Sequence, residues 1–159
     1  MIIRPEQMSA FEPAAEEHFV ERLVETLKED CAETVVQLPP EAQSLKTNAQ
    51  EDGAQTAKVP LVAMAVADIP DEMMNEMVRG GIARARDYGL SREDSIAAFV
   101  AIMVEIAPNF DSHPLIQYAL RDEKMPPDAR IDYVVEHTTE LTWEIAAQNY
   151  NIKSWKLKF

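Results

Sequence analysis

The side chains that could act as nucleophiles or metal ligands are few and lie far apart in this sequence. The three histidines are His18, His113 and His137, and the one cysteine is Cys31. None stands at the short spacing from a second histidine or cysteine that is typical of zinc sites. His137 precedes Glu140 by three residues, but one such pair is commonplace on a helix. The sequence therefore predicts no metal site, and Cys31 is expected to be a partly buried, inert thiol.

Acidic residues are abundant, 28 in all, and they form many close carboxylate pairs. Three of these pairs stand in or near the first turns of predicted helices: Glu16 and Glu17, Asp71 and Glu72, and Glu93 and Asp94. The helix dipole stabilises carboxylates at such positions, so they need no catalytic explanation. The sequence has no nucleophile elbow, phosphate-binding glycine loop or dinucleotide fingerprint. We expect no catalytic residue, no cofactor and no enzymatic activity; a hydrolase using scattered carboxylates is the weakest alternative.

The chain has the length and composition of one helical domain. Its 159 residues are 47% hydrophobic and 27% charged, a balance typical of globular proteins. Alanine, leucine, methionine and glutamate are plentiful, and these residues favour helix. Four glycines leave little material for the tight turns of an all-β fold. We predict an all-α, single-domain bundle of about five helices around a central apolar helix at 92–106.

Apolar periodicity and helix-end residues place the other elements. Helices are predicted at 13–30, 70–88, 92–106, 115–121 and 128–148. The paired Gly80 and Gly81 inside the second helix indicate a bend or the close approach of another helix. Gly89 is expected to end that helix in the left-handed conformation. Ser91 and Asp94 resemble a capping box for the central helix.

Two segments differ from the rest of the chain. Residues 39–59 begin with two prolines, hold few large apolar side chains and read as a mobile linker. Residues 151–159 form a basic tail of charge +3, so residues 1–150 carry −16. Trp155, Leu157 and Phe159 alternate with lysines, which is the period of an extended strand. This tail either folds back onto its own domain or serves as a docking strand for a partner.

The net charge of −13 and the isoelectric point of about 4.6 restrict the partners. Such a field repels nucleic acid phosphates and anionic lipids, and it attracts a basic protein. Colloidal stability alone is the simpler interpretation of the same charge. We see no signal peptide and no apolar stretch long enough to span a bilayer. With one cysteine, the chain is expected to be cytoplasmic, binding neither nucleic acid nor membrane.

One block of sequence goes beyond a generic helix. It begins with Gly-Ile-Ala-Arg-Ala-Arg-Asp-Tyr-Gly-Leu-Ser-Arg-Glu-Asp at 81–94 and continues with Phe-Val at 99–100, Met103 and Ala-Pro-Asn-Phe-Asp at 107–111. Together with the opening Met-Ile-Ile-Arg-Pro-Glu-Gln, it resembles the small acidic helical accessory proteins encoded in bacterial type VI secretion effector cassettes. The resemblance covers about two fifths of the chain.

The resemblance implies a protein-binding role in loading or neutralising a secreted toxin, and it carries no catalytic residue. The preferred expectation is an adaptor or co-chaperone that binds the toxin or its loading chaperone. The alternative is an immunity protein, whose acidic surface would block a cationic toxin site. Oligomeric state is left open.

Six side chains are candidates for partner contact: Arg84, Arg86, Met74, Trp155, Leu157 and Phe159. Arg84 and Arg86 lie about 200° apart on a helix, so both cannot be buried; an intramolecular ion pair is the alternative for either. Met74 lies off the predicted buried stripe and is expected to be exposed. Phe110 is predicted to anchor the core, and Asp111 to cap the next helix.

Overall fold

The computed structural model describes residues 5–38 and 62–155, with side chains from Ala15 onward. The described residues are mostly helical, which confirms the predicted helical class. Within these ranges the α-helices are α1 Pro5–Asp30, α2 Asp71–Asp87, α3 Glu93–Glu105, α4 Pro114–Leu120, α5 Pro127–His137 and α6 Glu140–Gln148. Short 3-10 helices span Val66–Asp68, Phe110–Ser112 and Ile152–Trp155. None of the helices in the described ranges is long and apolar enough to cross a membrane.

The fold is not strictly all-α, because a small antiparallel sheet follows α1. Strand β1, Val35–Leu38, pairs with β2, Val62–Ala65, and Leu38 lies opposite Val62. Val36 and Leu38 are almost fully buried and face the core, while Val35 is exposed. This alternation supplies the period-2 pattern of a half-buried strand. The predicted linker at 39–59 lies outside the described residues.

The predicted count of about five helices is also wrong, because the expected helix at 128–148 is divided in two. Thr138 and Thr139 adopt extended backbone between α5 and α6. The Thr139 hydroxyl accepts the backbone N–H of Thr142 at 3.2 Å and so caps α6. Threonine competes with helix by bonding nearby backbone groups, and it is favoured at this capping position.

Helix α3 lies at the centre of the fold, as predicted. It packs against α1, α2, α5 and β1. Phe99 and Val100 are fully buried. The ring of Phe99 lies 5.8 Å from that of Tyr88 and 4.9 Å from that of Phe110. Phe110 is fully buried, so its predicted role as a core anchor is confirmed.

The end of α2 and the start of α3 are stabilised in different ways. Gly89 has φ +94°, as predicted for the residue that ends α2. The predicted capping box at the start of α3 is wrong, since Asp128 from α5 accepts the backbone N–H groups of Ser91 and Arg92, each at 3.0 Å. The bond from Arg92 is the main cause of a lowered pKa at Asp128. A carboxylate that comes from 37 residues away to bind the segment before α3 leaves no local sequence signal.

The two glycines inside α2 have different environments. A Cβ at Gly81 would lie 2.9 Å from Val100 Cγ2 and 3.1 Å from Met103 Sδ. A Cβ at Gly80 would meet the Trp155 carbonyl oxygen at 3.4 Å, which is ordinary contact. Gly81 therefore allows α2 and α3 to approach closely, and this confirms the predicted close approach of another helix.

We expect Gly81→Ala to lower the free energy of unfolding and Gly80→Ala to raise it. Alanine gains about 1 kcal/mol of helix propensity at either position. At Gly81, crowding against the stiff Val100 side chain should cost about 1–3 kcal/mol and exceed that gain. Urea unfolding of the two variants provides the matched comparison. Equal stabilisation of both would contradict the close-packed geometry at Gly81.

Candidate functional site

An exposed groove with several apolar side chains lies between α4 and the α5–α6 region. Its volume is about 270 Å³. The lining residues are Leu115, Tyr118, Ala119, Asp122, Tyr133, Val134, His137, Thr138, Thr139 and Thr142. We call it the α4–α5 groove.

Helix α4 has one apolar face toward the core and a second toward the groove. Ile116 and Leu120 are buried in the core. Leu115 and Tyr118 lie one helical turn apart on another face, and they are 67% and 77% exposed. His113 fixes the start of α4 by accepting the backbone N–H of Leu115 at 3.2 Å. Leu115 and Tyr118 are thus solvent-exposed on a helix whose position is fixed.

The α5 side of the groove presents a stacked pair of rings. Tyr133 and His137 are one helical turn apart, with ring centroids 4.2 Å apart and planes inclined by 18°. Tyr133 is 42% exposed. The backbone carbonyl of Tyr133 lies 3.1 Å from His137 Nδ1. The stack gives the groove a broad, pre-oriented aromatic wall.

The helices on this side of the groove are acidic. Residues 127–148 hold five acidic residues and one arginine, a formal charge of −4. Asp122 lines the groove itself. Asp132, Glu136 and Glu140 are exposed and adjoin groove residues in sequence. A ligand for this groove should therefore combine apolar groups with positive charge.

Arg84 forms an intramolecular ion pair, which was the alternative to partner contact. Its Nε donates to Asp111 Oδ2 at 2.8 Å, and Tyr88 Oη donates to the same oxygen at 2.7 Å. The Asp111 side chain is 3% exposed and that of Arg84 24%. Burial, followed by the bond to Asp111, raises the pKa of Tyr88 to about 12, so its hydroxyl stays protonated. Asp111 is not the predicted cap of α4, because His113 takes that position.

The other candidates on α2 lie in different surroundings. Arg86 is half exposed, and its Nη1 lies 3.1 Å from Glu16 Oε1. Met74 is fully buried, so its predicted exposure is wrong. The buried side of α2 is wider than the predicted stripe because Val78 and Gly81 are buried as well. Met74 belongs to the core in this fold.

Trp155 also belongs to the core, being 1% exposed in a 3-10 helix rather than a strand. Its Nε1 donates to Tyr150 Oη at 2.9 Å, and that hydroxyl donates to the carbonyl of Gln37 in β1 at 2.9 Å. The predicted extended conformation is therefore wrong at this residue, and the tail folds back as far as Trp155. Leu157 and Phe159 lie outside the described residues.

Cys31 is buried, and its Sγ donates to Glu105 Oε1 at 3.5 Å. Burial is the main cause that raises the pKa of the thiol to about 11, so Cys31 is a weak nucleophile near neutral pH. Over the part of the chain that the structure describes, no three histidine, cysteine or acidic side chains come together as metal ligands.

Comparisons with protein-family models, curated proteins and solved structures give no match to this chain. None of the described residues that line the α4–α5 groove is among the six candidate contact residues from the sequence. The sequence does contain a signal for an exposed apolar face, because Leu115 and Tyr118 cannot share one face of this short helix with Ile116 and Leu120.

Proposed function

We propose that this protein is a non-catalytic, protein-binding accessory factor, acting as an adaptor or co-chaperone for a secreted toxin or its loading chaperone. The partner docks a basic segment with apolar anchors into the α4–α5 groove. The observation that carries the proposal is the exposure of Leu115, Tyr118 and Tyr133 around one groove within an acidic surface.

Tyrosine suits this role because it contributes a large contact area and a hydroxyl while losing little conformational entropy. Tyr118 is mostly exposed and Tyr133 is already held by stacking on His137. Burying these side chains under a partner would remove apolar surface from water. Such aromatic positions are frequent sites of dominant binding energy in protein interfaces.

The charge around the groove supports a basic partner segment. Lysine or arginine beside the apolar anchors would meet Asp122 and the exposed carboxylates of α5 and α6. These rim charges would mainly accelerate association and exclude acidic competitors. Binding should consequently weaken as the salt concentration rises.

The place of this binding in toxin delivery rests on the resemblance carried by 81–94 and 107–111. An adaptor needs to hold its partner without abolishing the partner's activity after delivery. An immunity protein, the second candidate, needs to occupy the toxin's active site. The acidic surface fits that second role only if the cognate toxin site is cationic.

The groove is tested with the double variant Leu115→Ser and Tyr118→Ser. The probes are purified products of the genes that flank this protein's own gene, measured one by one by calorimetry. We expect at least one probe to bind the unaltered protein, and the double variant to weaken that binding by about tenfold or more. Val35→Ser is the matched control, because Val35 is 56% exposed and lies outside the groove.

Two results would reject the proposal. One is that no flanking product binds; the other is that the double variant and Val35→Ser bind equally well. Where a toxin binds, co-expression separates the two roles. Protection of a toxin-producing cell with inhibition of the purified toxin assigns the immunity role, whereas loss of toxin secretion on deletion without such protection assigns the adaptor role.

A further inference from the structure

A polar cleft of about 540 Å³ lies where the end of α2 meets the end of α4 and helix α5. Its lining residues are Arg84, Asp87, Tyr88, Asp111, Leu120, Arg121, Glu123 and Arg130. We call it the arginine cleft. Three arginines and three acidic residues make it formally neutral, in a chain whose net charge is −13.

The cleft walls are fixed by hydrogen bonds within the protein. Arg130 Nε donates to the carbonyl of Met125 at 3.1 Å, and its Nη1 lies 3.3 Å from the carbonyls of Tyr88 and Leu120. Arg130 thereby ties the ends of α2 and α4 to α5. A site held in this way loses little entropy when it takes up a ligand.

Among the described residues, two arginines of the cleft have no carboxylate partner, and one carboxylate oxygen has no donor. Within the described ranges, neither Arg121 nor Arg130 forms an ion pair with a carboxylate. The Arg121 guanidinium lies over the Tyr88 ring, 5.8 Å from its centroid, and its side chain is exposed. Asp111 Oδ1 is buried and accepts no hydrogen bond from the described residues. Arg121 and Arg130 therefore lack an oxyanion from the described part of the chain, and Asp111 Oδ1 lacks a donor from it, although Asp111 Oδ2 is paired with Arg84 and Tyr88.

We propose that the arginine cleft binds a carboxylate with a hydrogen-bond donor close beside it, the chemistry that free amino acids share with peptide C-termini. The carboxylate is received by Arg121 and Arg130, and the donor lies beside the acidic residues Asp87, Asp111 and Glu123 that line the same cleft. Asp87 and Glu123 at the same cleft disfavour phosphates and other multiply charged anions. The cavity volume falls in the range of small-molecule sites.

Arg121→Gln is the informative variant because the Arg121 side chain has only a ring contact among the described interactions and should be dispensable for folding. Arg79→Gln is its matched control, since Arg79 is an exposed arginine of α2 that pairs with Glu17 outside the cleft. Thermal unfolding and circular dichroism establish that both variants fold.

Binding is measured by saturation-transfer NMR on the full chain with two sets of probes. The first is an equimolar mixture of the twenty free amino acids. The second is a set of N-acetylated tetrapeptides, varied at the last residue, with free or amidated C-termini. We expect saturable binding in one set, weakened about tenfold or more by Arg121→Gln and unchanged by Arg79→Gln. Amidation should abolish peptide binding.

The set that binds identifies the source of the carboxylate. Absence of saturable binding in both sets would overturn the proposal. Retained binding in Arg121→Gln would do the same, as would competition by inorganic phosphate at the same concentration as the carboxylate. None of these outcomes depends on whether a protein occupies the α4–α5 groove.

Discussion

Replacing Trp155 with alanine should lower the free energy of unfolding by about 3–5 kcal/mol. The side chain is almost fully buried, and its indole N–H begins a chain of hydrogen bonds through Tyr150 to Gln37. Removing it leaves a cavity and breaks the link between the C-terminal segment and β1. Urea unfolding monitored by circular dichroism measures the loss.

Two companion variants make this prediction specific. Trp155→Phe keeps most of the apolar volume but loses the bond to Tyr150, so we expect an intermediate loss of about 1–3 kcal/mol. Lys153→Ala, at an exposed position of the same 3-10 helix, should change stability by less than about 0.5 kcal/mol. A Trp155→Ala protein as stable as Lys153→Ala would mean that the indole is not part of the core.

The tail illustrates where sequence periodicity misleads. Trp155, Leu157 and Phe159 alternate with lysines, and alternation over so few residues predicts a strand. The structure places Trp155 in a 3-10 helix because its indole finds a hydrogen-bond partner and a buried position near α2. A tertiary contact of this kind overrides the local pattern of apolar residues, and the sequence of the tail alone does not predict it.

Features governed by local physics could be predicted. Gly89 ends α2 since it alone adopts a positive φ there without strain, and the apolar run around Phe99 identifies the central helix. Features that depend on distant partners could not. Strand β1 is four residues long and pairs with a segment more than twenty residues away. The break at Thr139 was missed because the apolar pattern continues through it.

The same division applies to the candidate sites. Arg84 was singled out from the sequence, but its partner Asp111 lies 27 residues away and was expected to cap a helix. Tyr118 was not among the candidates from the sequence, yet it lines the α4–α5 groove. The exposure of Tyr118 depends on which face of α4 packs against the core. The buried residues Ile116 and Leu120 form that face.

Arg84→Met is expected to lower the free energy of unfolding by about 3 kcal/mol. The variant removes the only guanidinium paired with Asp111 among the described residues and leaves a carboxylate that is almost wholly buried. Breaking a buried pair from one side costs about 3–5 kcal/mol, and the partial exposure of Arg84 places the expected value at the lower end. The bond from Tyr88 remains but carries no charge to offset the carboxylate.

Arg86→Met is the matched control, because Arg86 lies two residues away on the same helix and its ion pair with Glu16 is partly exposed, with side-chain exposures of 50% and 32%. It should cost less than about 1 kcal/mol. The double variant Arg84→Met with Asp111→Asn removes the buried charge together with its partner. Its loss of unfolding free energy should therefore be at least about 1 kcal/mol smaller than the sum of the losses in the two single variants. If the two single changes proved additive, the pair would be no more than an exposed contact, and Asp111 would have to be solvated through the arginine cleft. If Arg84→Met fails to fold but the double variant folds, the conclusion is the same, because the two chains differ only in the unpaired carboxylate of Asp111.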